Sequence, residues 1–182
     1  EYDHADIFPD LAAIQSQFHL LMRTVPAAGL VIAPSDSDAI NEVLQQGCWT
    51  HIARIGQREG KRVHAQDNAE RWSFAGDKSD GSSFSVLLDD EPLGAVHWSL
   101  FGEHNKANAL NPIAAARHAG VEPNQAIAAL CEFRGVKRRM EVIYETDNHV
   151  VYDDFAHHPT AIRTTLPDLR TQLSQDEIHP LI

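Results

Sequence analysis

Residues 28–47 pass directly from an apolar run, AGLVIAPS, into a capped amphipathic segment, SDSDAINEVLQQG. The first reads as a short buried strand ending in a turn. The second reads as a helix, with an Asp or Ser cap, apolar residues at Ile40, Val43 and Leu44, and Gly47 as its C-terminal stop. The alternation recurs along the chain. Residues 9–23 carry Leu11, Ile14, Phe18, Leu21 and Met22 at helical spacing, with Pro9 suited to the first turn. Residues 104–120 and 122–133 are Ala-rich helices, the first stopping at Gly120 and the second starting near Pro123. RMEVIYETDNHVVYDD reads as two strands with a turn around Asp147 and Asn148, and HPTAIRTTLPDLRTQL as a helix that Pro167 kinks or splits. Helices alternating with buried strands indicate an α/β architecture.

Between 48 and 100 the period changes. WTHIARIG, RWSFAG, SFSVLL and GAVHWSL are β-like runs separated by polar turns, with DDEP at 89–92 as a hairpin turn. This stretch is expected to form an antiparallel layer within the α/β frame. The chain of 182 residues is 43% hydrophobic, enough for a real core. Its net charge of -11 supplies no basic excess to displace counterions, which argues against nucleic-acid binding. No apolar run reaches the roughly 18–20 residues needed to span a bilayer. Cys48 and Cys131 lack metal-ligand spacing and suit a reducing compartment, so a cytoplasmic location is expected. The chain opens on EYDHADIF with no Met and closes on IHPLI, the first half of a strand; both ends are expected to continue into a longer protein.

Four stretches carry candidate chemistry. In YDHADIF, His4 lies among acids just before a helix and is suited to ligate a divalent metal; the plainer alternative is Asp3 or Asp6 capping that helix. GQREGKR at 56–62 resembles a phosphate loop but has the wrong glycine spacing and no Ser or Thr after Lys61, so it reads as a charged hairpin turn. In FGEHNKANAL, Gly102 ends a strand, and Asn105 and Asn108 stand three apart on one helix face, suited to reading a purine edge or simply to capping. In VYDDFAHHPTAIRTTL, two acids and two histidines sit where a strand turns into a helix, the place where α/β folds bind ligands and where a helix N-terminus favours anions. Asp154 there could hold a ribose hydroxyl or a metal-bound water. The alternative is one capping acid and two solvated histidines. A zinc hydrolase built on the eleven histidines is disfavoured, because adjacent histidines diverge on a helix and no HExxH-like spacing occurs.

Taken in order, these stretches resemble the Mur ligase family of ATP-dependent amide-forming ligases. The family pattern His-Asn-x-x-Asn-Ala is met by His104, Asn105, Asn108 and Ala109. At the positions of the pattern Arg-Arg-(Phe/Leu)-Glu stand Arg138, Arg139, Met140 and Glu141, with Met in place of Phe or Leu, and the Asp-bearing strand end is represented by Asp153 and Asp154. The HHPT form is that of the branch acting directly on UDP-N-acetylmuramate. Within it, EYDHADIF, GVKRRMEV and DDFAHHPTAI look most like the recycling branch, whose acceptor is the murein tripeptide L-Ala-γ-D-Glu-meso-diaminopimelate. The alternatives are the neighbouring branch that accepts L-alanine, or a non-catalytic domain fragment of either.

The resemblance implies residues 1–135 as the rear part of a central ATP-binding domain and 136–182 as the start of a Rossmann-like C-terminal domain. It puts the family's uridine-nucleotide domain, Gly-Lys-Thr phosphate loop and metal-binding Glu before residue 1, and the Pro-(His/Arg)-(Tyr/Ser) segment that helps hold the amine after residue 182. It implies ATP and Mg²⁺, with His4 a ligand of the second Mg²⁺. Asn105 and Asn108 would lie near adenine, with Asn108 the more direct contact. Arg139 would reach the nucleotide phosphates, Asp154 the ribose and phosphates, and His157 the incoming amine. Some members carry a carbamylated Lys about one helix after the metal His; no Lys occurs here between His4 and Lys61.

Overall fold

In the computed structural model, residues 2–56, 69–76, 78, 80–147 and 149–172 are described. Helix α1 (Leu11–Met22) leads to strand β1 (Leu30–Pro34), helix α2 (Asp38–Gln45) and strand β2 (His51–Ile55). Strands β3 (Glu70–Gly76), β4 (Ser83–Leu88) and β5 (Glu91–His97) follow, then helices α3 (Glu103–His118) and α4 (Pro123–Cys131). Strands β6 (Glu141–Glu145) and β7 (Val150–Asp153) and helix α5 (Pro159–Gln172) complete the described chain.

The α/β architecture expected from the sequence is present. β1, β2 and β3 pair in parallel, while β3–β4 and β4–β5 are antiparallel. The antiparallel strands are therefore joined edge to edge to the parallel ones in one sheet, ordered β1-β2-β3-β4-β5. The reason is visible on β3. Trp72 and Phe74 alternate inward and bury as deeply as Ile55 on β2, so one continuous apolar face serves both halves. α3 lies across β1 to β3 and α4 against β5. Their buried Leu110, Ile113, Ala114 and Ile127 close the core over Trp72, Phe84, Val86 and Val96. Phe84 meets Phe74 and Trp98 edge-on at 6.1 and 5.6 Å. A separate two-stranded sheet holds β6 and β7.

Local chemistry sets the element ends. Asp10 accepts from the Ala13 amide and caps α1, with Pro9 just before the cap; neither Asp3 nor Asp6 does so. Ser37 caps α2. Asp89 and Asp90 both take positive φ, 50° and 74°, between the paired Leu88 and Glu91, which makes the tight two-residue hairpin that matches strand twist. Thr146 N–H donates to the His149 carbonyl at 2.8 Å across the β6–β7 turn, whose Asn148 lies outside the described residues. Gly102 does not end a strand: β5 stops at His97, and Gly102 is the N-cap of α3 at φ 92°. α5 is a single helix through Pro167 rather than two. The expected charged turn at 57–62 lies outside the described residues.

Candidate functional site

β1 and β2 end side by side at Pro34 and Ile55, and the loops that leave them are tied together. Ser35 N–H donates to the Ile55 carbonyl at 2.8 Å, and its hydroxyl donates to the same oxygen at 3.1 Å. Gly56 N–H donates to the Trp72 carbonyl. Gly56 takes φ 151°, and a Cβ there would run into the Ser35 hydroxyl. The N-terminal half of α3 faces these loops, and between them lies a cavity of about 520 Å³. Asp36, Phe74, His104, Asn108 and Asn111 line it together with the strand ends. It therefore sits outside the carboxyl ends of parallel strands, where α/β sheets hold ligands.

Of the two predicted amides, only Asn108 lines this cavity. Asn105 donates its side-chain N–H to the Phe101 carbonyl at 2.7 Å and holds the turn that enters α3. The sequence reading missed Asn111. Pro112 has no N–H, so the Asn108 carbonyl lacks its helical donor. The Asn111 amide reaches that carbonyl at 3.4 Å and the Ala107 carbonyl at 3.3 Å. A Pro inside an otherwise helical run, preceded by Asn, was the available signal. Also missed was Lys106, which is 2% exposed, pairs with Glu103 and lies over the Phe74 ring at 5.4 Å.

A second cluster forms at the β7–α5 join. Asp154 uses both oxygens as acceptors, from Met140 N–H at 2.9 Å and Ala156 N–H at 2.6 Å. Phe155 N–H donates to the Arg138 carbonyl. These bonds clamp residues 138–140, where Arg138 and Met140 adopt φ of 59° and 51°. Left-handed backbone at a residue other than Gly costs on the order of 1 kcal/mol or more, and such strain collects where a side chain must be aimed. The side chain between them is Arg139, whose guanidinium stands 5.9 Å above the Phe155 ring. Arg138 stands 5.1 Å above the same ring and pairs with Asp153 at 3.5 Å. The exposed His157 has its Nδ1 2.9 Å from the Phe155 carbonyl. A carbonyl only accepts, so Nδ1 carries the proton and Nε2 of the neutral ring keeps its lone pair.

The N-terminal arm carries the expected metal residue, His4. The His4 N–H donates to the Asp3 carboxylate at 2.7 Å, and that bond, aided by the imidazoles of His4, His158 and His157, holds the Asp3 carboxyl below its usual range. His4 has φ 59°, and its carbonyl accepts from Ile7 and Phe8 N–H at 2.9 Å. Among the described residues, no three His, Cys, Asp or Glu side chains come together as a cage. A larger cavity, about 790 Å³, lies beside β4 and β5 and is lined by Lys78, His97, Cys131 and Arg134. No predicted site residue faces it.

The family model described as Mur ligase middle domain matches residues 1–116, and that described as Mur ligase, glutamate ligase domain matches 138–181. A protein of Escherichia coli K12 named UDP-N-acetylmuramate–L-alanyl-γ-D-glutamyl-meso-2,6-diaminoheptandioate ligase is 46% identical over 170 residues, 93% of this chain and 35% of that protein. A UDP-N-acetylmuramate–L-alanine ligase of Caldicellulosiruptor bescii is 35% identical over 170 residues, 92% of this chain and 35% of its own length. The crystal structure of a murein peptide ligase from Psychrobacter arcticus 273-4, 40% identical, superposes with a TM-score of 0.66 over 92% of this chain and 34% of that one. The chain thus spans about a third of the length of these relatives.

Proposed function

The chain belongs to the Mur ligase family, and from that premise we propose that it is part of an ATP-dependent ligase joining L-Ala-γ-D-Glu-meso-diaminopimelate to UDP-N-acetylmuramate. Identity of 46% to a relative named for that reaction, against 35% to one named for L-alanine addition, supports the tripeptide acceptor. The observation that carries the ligase assignment is the pairing of two half-sites. One is a cavity at the strand ends with Asn108 on its wall. The other is a strained, clamped loop that sets Arg139 over the Phe155 ring, which His157 also meets. On this assignment residues 1–135 belong to the central ATP-binding domain and 136–182 to the C-terminal one.

The muramate carboxylate would attack the γ-phosphate of ATP, and the tripeptide amine would then displace phosphate from the acyl phosphate. The chain's residues serve these steps by position and charge. Asn108 offers both a donor and an acceptor to a purine edge. Arg139 would neutralise phosphate charge. Asp154, having spent an acceptor position on each of two backbone amides, first fixes the Arg139 loop and has remaining lone pairs for a ribose hydroxyl. In the neutral ring, Nε2 of His157 would accept a hydrogen bond or proton from the incoming amine or ammonium. His4 would ligate Mg²⁺ with the Asp3 carboxylate beside it, and substrate phosphates would supply the remaining oxygens, since Mg²⁺ favours oxygen donors and few protein ligands. Bound Mg²⁺ would neutralise charge on the transferred phosphoryl group. A cytoplasmic location follows from the need for ATP.

Phosphate release by the full-length protein tests the assignment. Release is expected only when ATP, UDP-N-acetylmuramate and the tripeptide are all present. Release that ignores the muramate substrate would remove it.

A further inference from the structure

α5 and α3 belong to different parts of the fold, yet they meet at one hydrogen bond. Asp168 Oδ2 lies 2.9 Å from His104 Nδ1, with the side chains 21% and 37% exposed. The contact depends on Gly102. A Cβ at that N-cap would overlap the Asp168 carboxylate and stand 2.9 Å from His104 Cε1. Gly102 is itself held in place, because its N–H donates to the Asp80 carbonyl at 2.7 Å and its backbone packs against Gly81. Having no side chain, it cannot cap α3, so the Asp168 carboxylate brings negative charge from another element to the positive end of that helix. An ionised carboxylate only accepts, so His104 Nδ1 carries the proton of this bond, and in the neutral ring Nε2 is an acceptor. His104 also lines the 520 Å³ cavity beside Asn108.

We infer that Asp168 is a positioning residue for the nucleotide cavity: it docks α5 over Gly102, fixes the ring of His104 in the cavity wall, and so couples the docking of α5 to nucleotide binding. The inference rests on the cavity being the ATP site. Such coupling is reciprocal: nucleotide favours the docked α5, and docked α5 favours nucleotide.

Calorimetric titration of the full-length protein with ATP, alongside steady-state kinetics and thermal unfolding, tests it. Asp168→Ala is expected to weaken ATP affinity about tenfold and raise the KM for ATP with a smaller change in kcat, at an almost unchanged unfolding midpoint. Asp168→Asn keeps an acceptor oxygen for the Nδ1 proton and is expected to recover most of the affinity. An Asp168→Ala variant that binds ATP as tightly as the wild type would overturn the inference. So would an Asn variant as weak as the Ala variant, or a loss confined to the unfolding midpoint. If the wild-type protein itself fails to bind ATP, the cavity assignment falls first and this inference with it.

Discussion

Asn108 and Arg139 stand in different parts of the fold, and their substitutions should separate in kinetics. Asn108 lines the strand-end cavity, so Asn108→Ala is expected to weaken ATP affinity with a smaller effect at saturating ATP. Arg139 belongs to the clamped loop of the other part. If it reaches phosphate mainly as the reaction proceeds, Arg139→Ala should lower kcat on the order of 10²-fold or more while ATP affinity changes little. Asp154→Ala should resemble Arg139→Ala, because it releases the Met140 and Ala156 amides that hold the loop. Calorimetry and saturating kinetics on the three full-length variants check this. Abolished ATP binding in Arg139→Ala together with intact binding in Asn108→Ala would contradict both placements. The residue types of the site were legible in the sequence; their partners were less so. Nothing in HNKAN says that Asn105 turns back to the Phe101 carbonyl while Asn108 faces the cavity, since residues three apart point about 60° apart on a helix. The clamp on Asp154 joins residues fourteen apart and depends on how the hairpin closes, which no local pattern encodes.

The strand ends and helix starts carry the next level. Ser35 and Gly56 fit together because Gly56 lacks a side chain and takes φ 151°. Gly56→Ala should destabilise the protein by about 1–3 kcal/mol, combining backbone strain with the clash against the Ser35 hydroxyl. Adding Ser35→Ala should return only part of that loss, because it relieves the clash and leaves the strain. Thermal or denaturant unfolding of the two variants measures the difference; a Gly56→Ala variant as stable as the wild type would mean that the loops are not packed this way. At this scale the sequence was most legible where a period or a cap is local. The helices, most strand positions and a Ser or Asp cap on α2 follow from short patterns, whereas the DDEP turn shortens to Asp89–Asp90 because Glu91 and Pro92 already pair in β5. The joining of the antiparallel strands to the parallel ones was not legible, since it depends on β3 pairing with β2 across a long separation in sequence. The cap of α1 was misassigned among several nearby acids, of which Asp10 has the geometry.

Across the whole molecule, the five-stranded sheet with α3 and α4 forms one buried core, while β6, β7 and α5 carry exposed apolar residues such as Val142, Ile143 and Tyr144. The candidate residues divide in the same way, with Asn108 in the cavity of the first body and Arg139, Asp154 and His157 on the second. On the proposed function, the central claim concerns which amine is accepted. The most direct measurement is kcat/KM of the full-length protein for L-Ala-γ-D-Glu-meso-diaminopimelate and for free L-alanine, at saturating ATP and UDP-N-acetylmuramate, by release of phosphate. The tripeptide is predicted to be the better acceptor by about a hundredfold or more, the span expected when a site is built around polar groups that only the larger substrate satisfies. Equal values for the two amines, or a preference for L-alanine, would contradict the assignment.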